Sequence, residues 1–246
     1  MTHPDFSILI PLYNEEECLI PNIRQLLLFF RERGLDGEII LGSNGSTDST
    51  AFIGDLLSRT EGLPVEFFHL EHRGAVGEVF RRALPLASSP YLISIDADLS
   101  VDLEFVTGAL TLLEKHDVVV GSKQAGSQKR SVVRRLGSGL YIFLAQLLLD
   151  LPYDDYSIGA KAYRISKIRP LAAGISRDTN YVLDILLKSS RAGLPVAILP
   201  VACRDFRKSR FNLLQEGLTR LSHLLITCLQ VVTFTWADPE VWGGSD

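Results

Sequence analysis

No apolar stretch in this chain reaches the ~20 uninterrupted residues that a membrane-spanning helix requires. Its first residues, MTHPDFSILIPLYNEEE, lack a basic segment followed by a long apolar core, so no secretory signal is read and a cytoplasmic protein is expected. Cysteine is scarce. Cys18, Cys203 and Cys228 are odd in number, far apart and set among apolar or mixed neighbours, which excludes a disulfide framework or zinc cluster and points to reduced, structural thiols. Positive charge is not in excess either, and a net charge of −4 argues against nucleic acid as a partner. Internal repeats and low-complexity linkers are lacking. The 246 residues, 46% of them apolar, are expected to form one large domain, burying about 70 to 75% of its unfolded surface.

What the chain does contain is alternation. Short apolar strands are predicted at 6–11, 38–41, 65–69 and 91–95, interleaved with helices at 15–33, 48–58 and 74–86. The first helix carries Leu19, Ile23, Leu26, Leu27 and Phe30 at helical spacing. Beyond Asp98 the pattern loosens: a helix over 102–115, a strand over 118–121, a polar loop over 124–130 and a helix over 131–150. Loop and short strand over 153–164, a helix over 178–192, a strand over 196–201 and a basic loop over 204–210 lead into a last helix. Such alternation implies an α/β fold, a mostly parallel central sheet covered by helices on both faces, with ligands gathering at the carboxyl ends of the strands.

At one such end stands the most informative stretch, YLISIDADLS at 91–100, whose apolar run delivers Asp96 and Asp98 side by side. Two adjacent carboxylates repel each other unless solvent or a cation shares them. Hard oxygen donors suit Mg2+ or Mn2+, and an ion held by one or two carboxylates keeps positions free for substrate phosphates. Asp-x-Asp also serves as a solvated turn or helix cap. Position favours the site, because Pro11, Ser43 and Asn44 immediately follow their own strands and converge on the same rim.

The ordered motifs SILIPLYNEEE, SNGSTDST, HRGAVGEVFRRAL, SIDADLS and VVVGSK together resemble family 2 glycosyltransferases of the GT-A fold. The later segments, Arg134 with Ser138, LPYDDYSIGAKAYR and RDFRKSR, resemble its polyprenyl-phosphate branch, typified by dolichol-phosphate mannosyltransferase. The resemblance runs from about residue 6 to 212, leaving 1–211 as the transferase domain and 212–246 as an amphipathic helix and tail packed on it or on a membrane. It implies that Pro11, Tyr13, Glu15, Ser43, Asn44, Asp96, Ala97, Arg204 and Arg210 contact the nucleotide. Glu15 also reads as helix-start electrostatics, and Asp48 as a helix cap. The family carries two aspartates where this chain has Ser43 and Asn44, so a base N–H loses a charged acceptor, and charge-assisted bonds are about twice as strong.

The same resemblance makes Asp98 the main metal ligand, with Asp96 and Ser100 beside it; Ser100 replaces a glutamine. Lys123, in place of an arginine, would bind the acceptor phosphate with Arg134 and Ser138, and Arg207 and Arg210 keep charge in a basic loop that otherwise reads as solvated. The implied reaction is an inverting, metal-dependent transfer of a hexose from a GDP-mannose-like or UDP-glucose-like nucleotide sugar to a polyprenyl phosphate. A sugar hydroxyl as acceptor would instead need a base, Asp155 or Asp154. A nucleotide-sugar-binding scaffold without turnover is the reading from another class. The stretch at 139–149, GLYIFLAQLLL, and Leu214, Leu218, Leu221, Leu225 and Leu229 at helical spacing serve as core helices or as a face on a membrane, with Arg134, Arg135, Arg210 and Arg220 nearby. A peripheral enzyme on the cytoplasmic side of a membrane is the resulting expectation.

Overall fold

The computed structural model describes residues 3–73, 76–123, 132–153, 156, 158–203 and 221–229, with the backbone alone at 132–138 and 140. Seven strands form one sheet: β1 Phe6–Leu12, β2 Gly37–Asn44, β3 Val65–Leu70, β4 Tyr91–Ser94, β5 Val118–Ser122, β6 Lys161–Arg164 and β7 Val196–Pro200. Their order is β3-β2-β1-β4-β6-β5-β7. All pairings are parallel except those of β6, which runs antiparallel to both β4 and β5. The mostly parallel α/β architecture predicted from alternation is therefore observed.

Side-chain alternation divides the core into two layers, because successive residues of a strand point to opposite faces. Leu9, Ile40, Leu92, Val120 and Tyr163 pack on one face under the helices α3 Val76–Leu86, α5 Val132–Leu149 and α7 Tyr181–Arg191. Ile8, Ile10, Ile39, Leu41, Ile93 and Val119 face the other, under α1 Leu19–Arg33, α2 Thr50–Ser58 and α4 Glu104–Leu113. Covered on both sides, β1, β2 and β5 are buried along nearly their whole length. A short helix, α6 Ile165–Ile168, and a 3-10 turn, Pro170–Ala172, follow β6, where sequence reading placed no element.

Two boundaries differ from expectation for a physical reason. Helix α1 begins at Leu19 rather than at 15, because the preceding amides are bound elsewhere: Asn14 N–H donates to Ser46 Oγ (3.2 Å), Glu15 N–H to Thr50 Oγ1 (2.7 Å) and Glu16 N–H to Asp48 Oδ2 (3.3 Å). Asn14 is itself left-handed (φ 54°). Strands β1 and β2 run further than predicted, to Leu12 and Asn44, so Ser43 and Asn44 are the last rungs of β2 rather than the loop after it. Cys18, Cys203 and Cys228 are free thiols.

The helical segment 221–229, within the predicted last helix, packs on the α5 and α7 layer. Leu224 is fully buried there, and His223 Nε2 lies 2.9 Å from Asp184 Oδ1 of α7. Among the described residues, no helix is long and apolar enough to cross a membrane.

Candidate active site

The carboxyl ends of β1, β2, β4 and β5 meet at one rim, and antiparallel β6 begins there, so Lys161 lies opposite Ser94 and Val120. Just past β4 the chain turns sharply. Ile95 N–H still donates to Leu9 O (3.0 Å), Leu99 N–H closes a turn on Asp96 O (3.1 Å), and Asp98 Oδ1 accepts from Ser100 N–H (3.0 Å). Leu99 adopts φ 48°, a left-handed conformation that costs a leucine roughly 1–2 kcal/mol. Strain of this kind persists where the surroundings determine the turn, and here Asn22 of α1 grips it by donating to Ala97 O (2.8 Å). Asp102 N–H donates to Ala202 O (3.3 Å), and Val101 bridges Cys203, so the chain leaving β7 also passes this turn.

Asp96 is half-buried and is the electrostatic centre of the rim. Withdrawal from water raises its pKa above the usual carboxylate value; Lys123 and Lys161 pull it down, Asp98 pushes it further up, and the Gly159 N–H favours the charged form. A Cβ at Gly159 would overlap the Asp96 carboxylate, so a side chain there would have to displace it. Lys123 is 7% exposed and Lys161 1%. Tyr181, at the start of α7, has its hydroxyl pushed up by burial and by the Asp96 charge, and it meets Ser94.

The β1 and β2 ends build the second half of the rim without a carboxylate. Ser43 Oγ donates to Ser46 Oγ (3.0 Å) and lies 2.9 Å from His69 Nδ1, while Asn44 is buried beside it. Asn14 Oδ1 accepts from Thr47 N–H (2.8 Å), joining the two loops. Gly45 is left-handed (φ 67°), and a side chain there would strike the backbone of Arg73. That close approach accompanies a guanidinium set 4.0 Å from the centre of the Tyr13 ring. Glu15 Oε2 accepts from the Cys18 thiol (3.1 Å), and Asp48 accepts from Thr50 N–H (3.0 Å) in the turn into α2, whose N-cap is Ser49, one residue after the position a cap reading of Asp48 expects. Burial pushes the Asp48 carboxyl up, yet the bonds from Thr50 and Glu16 leave its pKa below the usual value.

The structure therefore brings together Pro11, Tyr13, Glu15, Ser43, Asn44, Asp96, Ala97, Asp98, Ser100 and Lys123 at one edge of the sheet. Arg134 and Ser138 lie on α5, whose backbone alone is described there; Asp154, Asp155, Arg204, Arg207 and Arg210 lie outside the described residues. Sequence reading did not single out Lys161, Gly159, Tyr181, His69 or Arg73. Only Lys161 left a signal, a lysine inside the otherwise strand-like KAYR segment.

Among the described residues no three acidic, histidine or cysteine side chains gather as a metal cage. Among the described residues the oxygens at this turn are the Asp96 and Asp98 carboxylates with the buried Ser100 beside them. This set fits a hard divalent cation that completes its shell with phosphate oxygens and water, and it does not fit a cation held by protein alone.

A mostly parallel sheet whose fourth strand ends in an Asp-x-Asp turn, with a second ligand-facing rim built by the first two strands, defines the GT-A fold. Comparison with known proteins then gives the family. Residues 7–171, more than half of the chain, match Glycosyl transferase family 2, and the chain belongs to that family. It is 25% identical over 236 residues to glycosyltransferase AglD of Haloferax volcanii, covering 92% of this chain and 37% of AglD. It is 27% identical over 223 residues to undecaprenyl-phosphate 4-deoxy-4-formamido-L-arabinose transferase of Pseudomonas fluorescens, covering 91% of this chain and 64% of that protein. The chain thus spans less than two thirds of the length of either relative. Glucosyl-3-phosphoglycerate synthase from Mycobacterium tuberculosis superposes with a TM-score of 0.67 at 20% identity, over 92% of this chain and 80% of that one. Its complex with Mn2+, UDP and glucosyl-3-phosphoglycerate gives 0.64. At such identity the likeness is one of fold.

Proposed function

We propose that the chain is an inverting hexosyltransferase that moves a sugar from a nucleoside-diphosphate donor, GDP-mannose-like or UDP-glucose-like, to a polyprenyl phosphate. The observation that carries this reading is the pair Asp96 and Asp98 at the end of β4, enclosed with Lys123 and Lys161. The relative from Pseudomonas fluorescens, named for an undecaprenyl-phosphate acceptor, and the structural neighbour solved with Mn2+ and UDP support it.

In this reading Asp98, with Asp96 and Ser100, holds Mg2+ or Mn2+. When bound, such an ion neutralises charge on a departing diphosphate. Pro11, Tyr13, Glu15, Ser43, Asn44 and Ala97 place the nucleotide along the rim, helped by Arg204 and Arg210. Arg207 and Arg210 of the basic loop stabilise the anion that develops as the bond between anomeric carbon and diphosphate oxygen breaks. An acceptor phosphate oxygen forms the new bond from the opposite side, oriented by Lys123, Arg134 and Ser138. A phosphate monoester, with its second pKa near ~6, is already an anion at neutral pH. No protein base is then required; a sugar hydroxyl as acceptor would instead call on Asp155 as the base.

Residues 1–211 form the transferase unit and 212–246 an appended helix and tail, a division supported by the docking of 221–229 through Leu224 and His223. Exposed Phe143 and Leu147 on α5, with Leu225, Ile226 and Leu229 on the appended helix, suit contact with the cytoplasmic surface of a membrane, where the lipid acceptor resides.

The test is a donor screen with Mg2+ or Mn2+ and short-chain polyprenyl phosphates, repeated with phosphoglycerate and simple sugars as acceptors. Transfer to polyprenyl phosphate that falls at least ~100-fold in Asp98→Ala is the expected outcome. Turnover only on soluble acceptors would remove the lipid assignment. Undiminished transfer in Asp98→Ala would remove the metal one. Nucleotide-sugar binding without turnover on any acceptor would leave a scaffold.

A further inference from the structure

Between Asp96 and Asp98 the chain passes through Ala97, which is buried with Ile95 and Val101 in the layer under α1, α2 and α4. Leu99 packs on the same layer with its backbone left-handed. Apolar anchoring thus fixes the side chains of this turn, and it leaves the peptide carbonyl between the two aspartates to be satisfied. A buried carbonyl without a donor costs free energy. Asn22 supplies the donor, its Nδ2 lying 2.8 Å from Ala97 O.

Nothing in α1 itself calls for an asparagine at this position. The residue is half-buried in the first turn of the helix, and asparagine is a weaker helix former than leucine, glutamine or arginine. Its value lies in what it joins. Just ahead of α1 the chain is already fastened to the β2 side of the rim, Asn14 N–H to Ser46 Oγ and Glu15 N–H to Thr50 Oγ1. Asn22 fastens the start of the same helix to the β4 turn, 75 residues further along the chain.

We propose that Asn22 is a positioning residue, which holds the peptide between Asp96 and Asp98 against α1 and so presents both carboxylates to a cation arriving with a diphosphate. The proposal rests on the metal-diphosphate reading of Asp96 and Asp98 and adds to it a residue outside the turn.

Mn2+ uptake in the presence of UDP or GDP, followed by the electron paramagnetic resonance of the free ion, is the first test. Asn22→Leu, of similar size but with no donor, is expected to weaken Mn2+ binding about three- to tenfold, the worth of one hydrogen bond. Asn22→Gln, which keeps the amide, is expected to stay within about twofold of wild type. A role in helix stability alone predicts no loss in either variant, since both replacements favour a helix more than asparagine does. Unchanged Mn2+ binding in Asn22→Leu, or an equal loss in Asn22→Gln, overturns the proposal. Where Asn22→Leu does not fold, Asn22→Ala is read in the same way.

Amide hydrogen exchange of the metal-free protein is the second measurement. The Leu99 amide closes the turn on Asp96 O, and its exchange is expected to quicken by about the same three- to tenfold in Asn22→Leu while the β1 and β2 amides keep their wild-type rates. Unchanged exchange at Leu99 overturns the proposal, and so does acceleration spread through the whole sheet, which would mark a general loss of stability. Wild-type protein that takes up no Mn2+ even with UDP or GDP present sinks the metal-diphosphate reading itself, while exchange at Leu99 still decides whether Asn22 holds the turn.

Discussion

Asp96 and Gly159 show how narrowly the rim is drawn at the scale of single residues. Gly159 lies in the stretch that leads into β6, and the absence of its side chain is what lets the Asp96 carboxylate occupy its position. Gly159→Ala should therefore displace the carboxylate rather than disturb the core, since the atoms in the way are the end of a short polar side chain. Misplacement of a catalytic group by about 1 Å can cost ~100-fold in rate. A loss of about that size in transfer, with a thermal midpoint within about 3 °C of wild type, is the expected result. A large fall in stability with the rate per folded molecule unchanged would show that Gly159 serves the fold instead. Sequence made Asp96 and Asp98 legible because two acidic residues after an apolar strand are conspicuous. It left Gly159, Lys161 and Tyr181 unmarked, because each acquires meaning only from the residue that a distant strand or helix sets beside it.

At the scale of elements, Asp184 is a junction. Its Oδ2 accepts from Ser176 N–H (2.6 Å), and its Oδ1 faces His223 of the appended helical segment. Arg177 O, in the same loop, accepts from Gly77 N–H (2.7 Å) and Glu78 N–H (3.2 Å) at the start of α3. The hydrogen bond to Asp184 raises the His223 pKa above its usual 6.5, burial opposes it, and the charges of Asp184 and Asp178 add to the rise. Lys188 of α7 also faces Asp184 and competes for it. A histidine raised in the folded state stabilises fully below its unfolded pKa and loses that contribution as pH rises through the folded value. Docking of 221–229 should thus weaken above about pH 6.5, by about 0.5–1 kcal/mol for a partly exposed pair. Hydrogen exchange of the 221–229 amides between about pH 6 and 8.5, corrected for intrinsic rates, should show protection falling with pH. His223→Gln should flatten the profile, and a wild-type profile already flat would remove His223 as the latch. The long elements were legible from periodicity, whereas the short α6 and the late start of α1 were not. Cross-loop hydrogen bonds from Ser46, Asp48 and Thr50 replace the helical ones at 14–16, and no local pattern announces them.

For the whole molecule, the sheet gathers the ends of β1, β2, β4 and β5 at one edge, while Leu147 and Leu229 remain 66% and 65% exposed on the α5 and appended-helix surface. Large apolar side chains clustered at a surface mark contact with a membrane or another molecule. If that surface meets lipid, Leu147→Ser with Leu229→Ser should reduce co-sedimentation with anionic vesicles severalfold, since each buried side chain contributes about 1.5–3 kcal/mol, and should leave transfer to a short soluble polyprenyl phosphate unchanged. Unaltered vesicle binding in the double variant would exclude this face.

Sequence by itself determined the α/β class, the family motifs and the two carboxylates, because hydrophobic period and strand-end chemistry are local properties of the chain. The antiparallel insertion of β6 between β4 and β5 was decided only by the tertiary structure. So was the surrounding of Asp96 by Gly159, Lys161, Lys123 and Tyr181, which approach it from β5, the segment entering β6 and α7. Buried charge is compensated through space, and its partners need share no spacing along the chain.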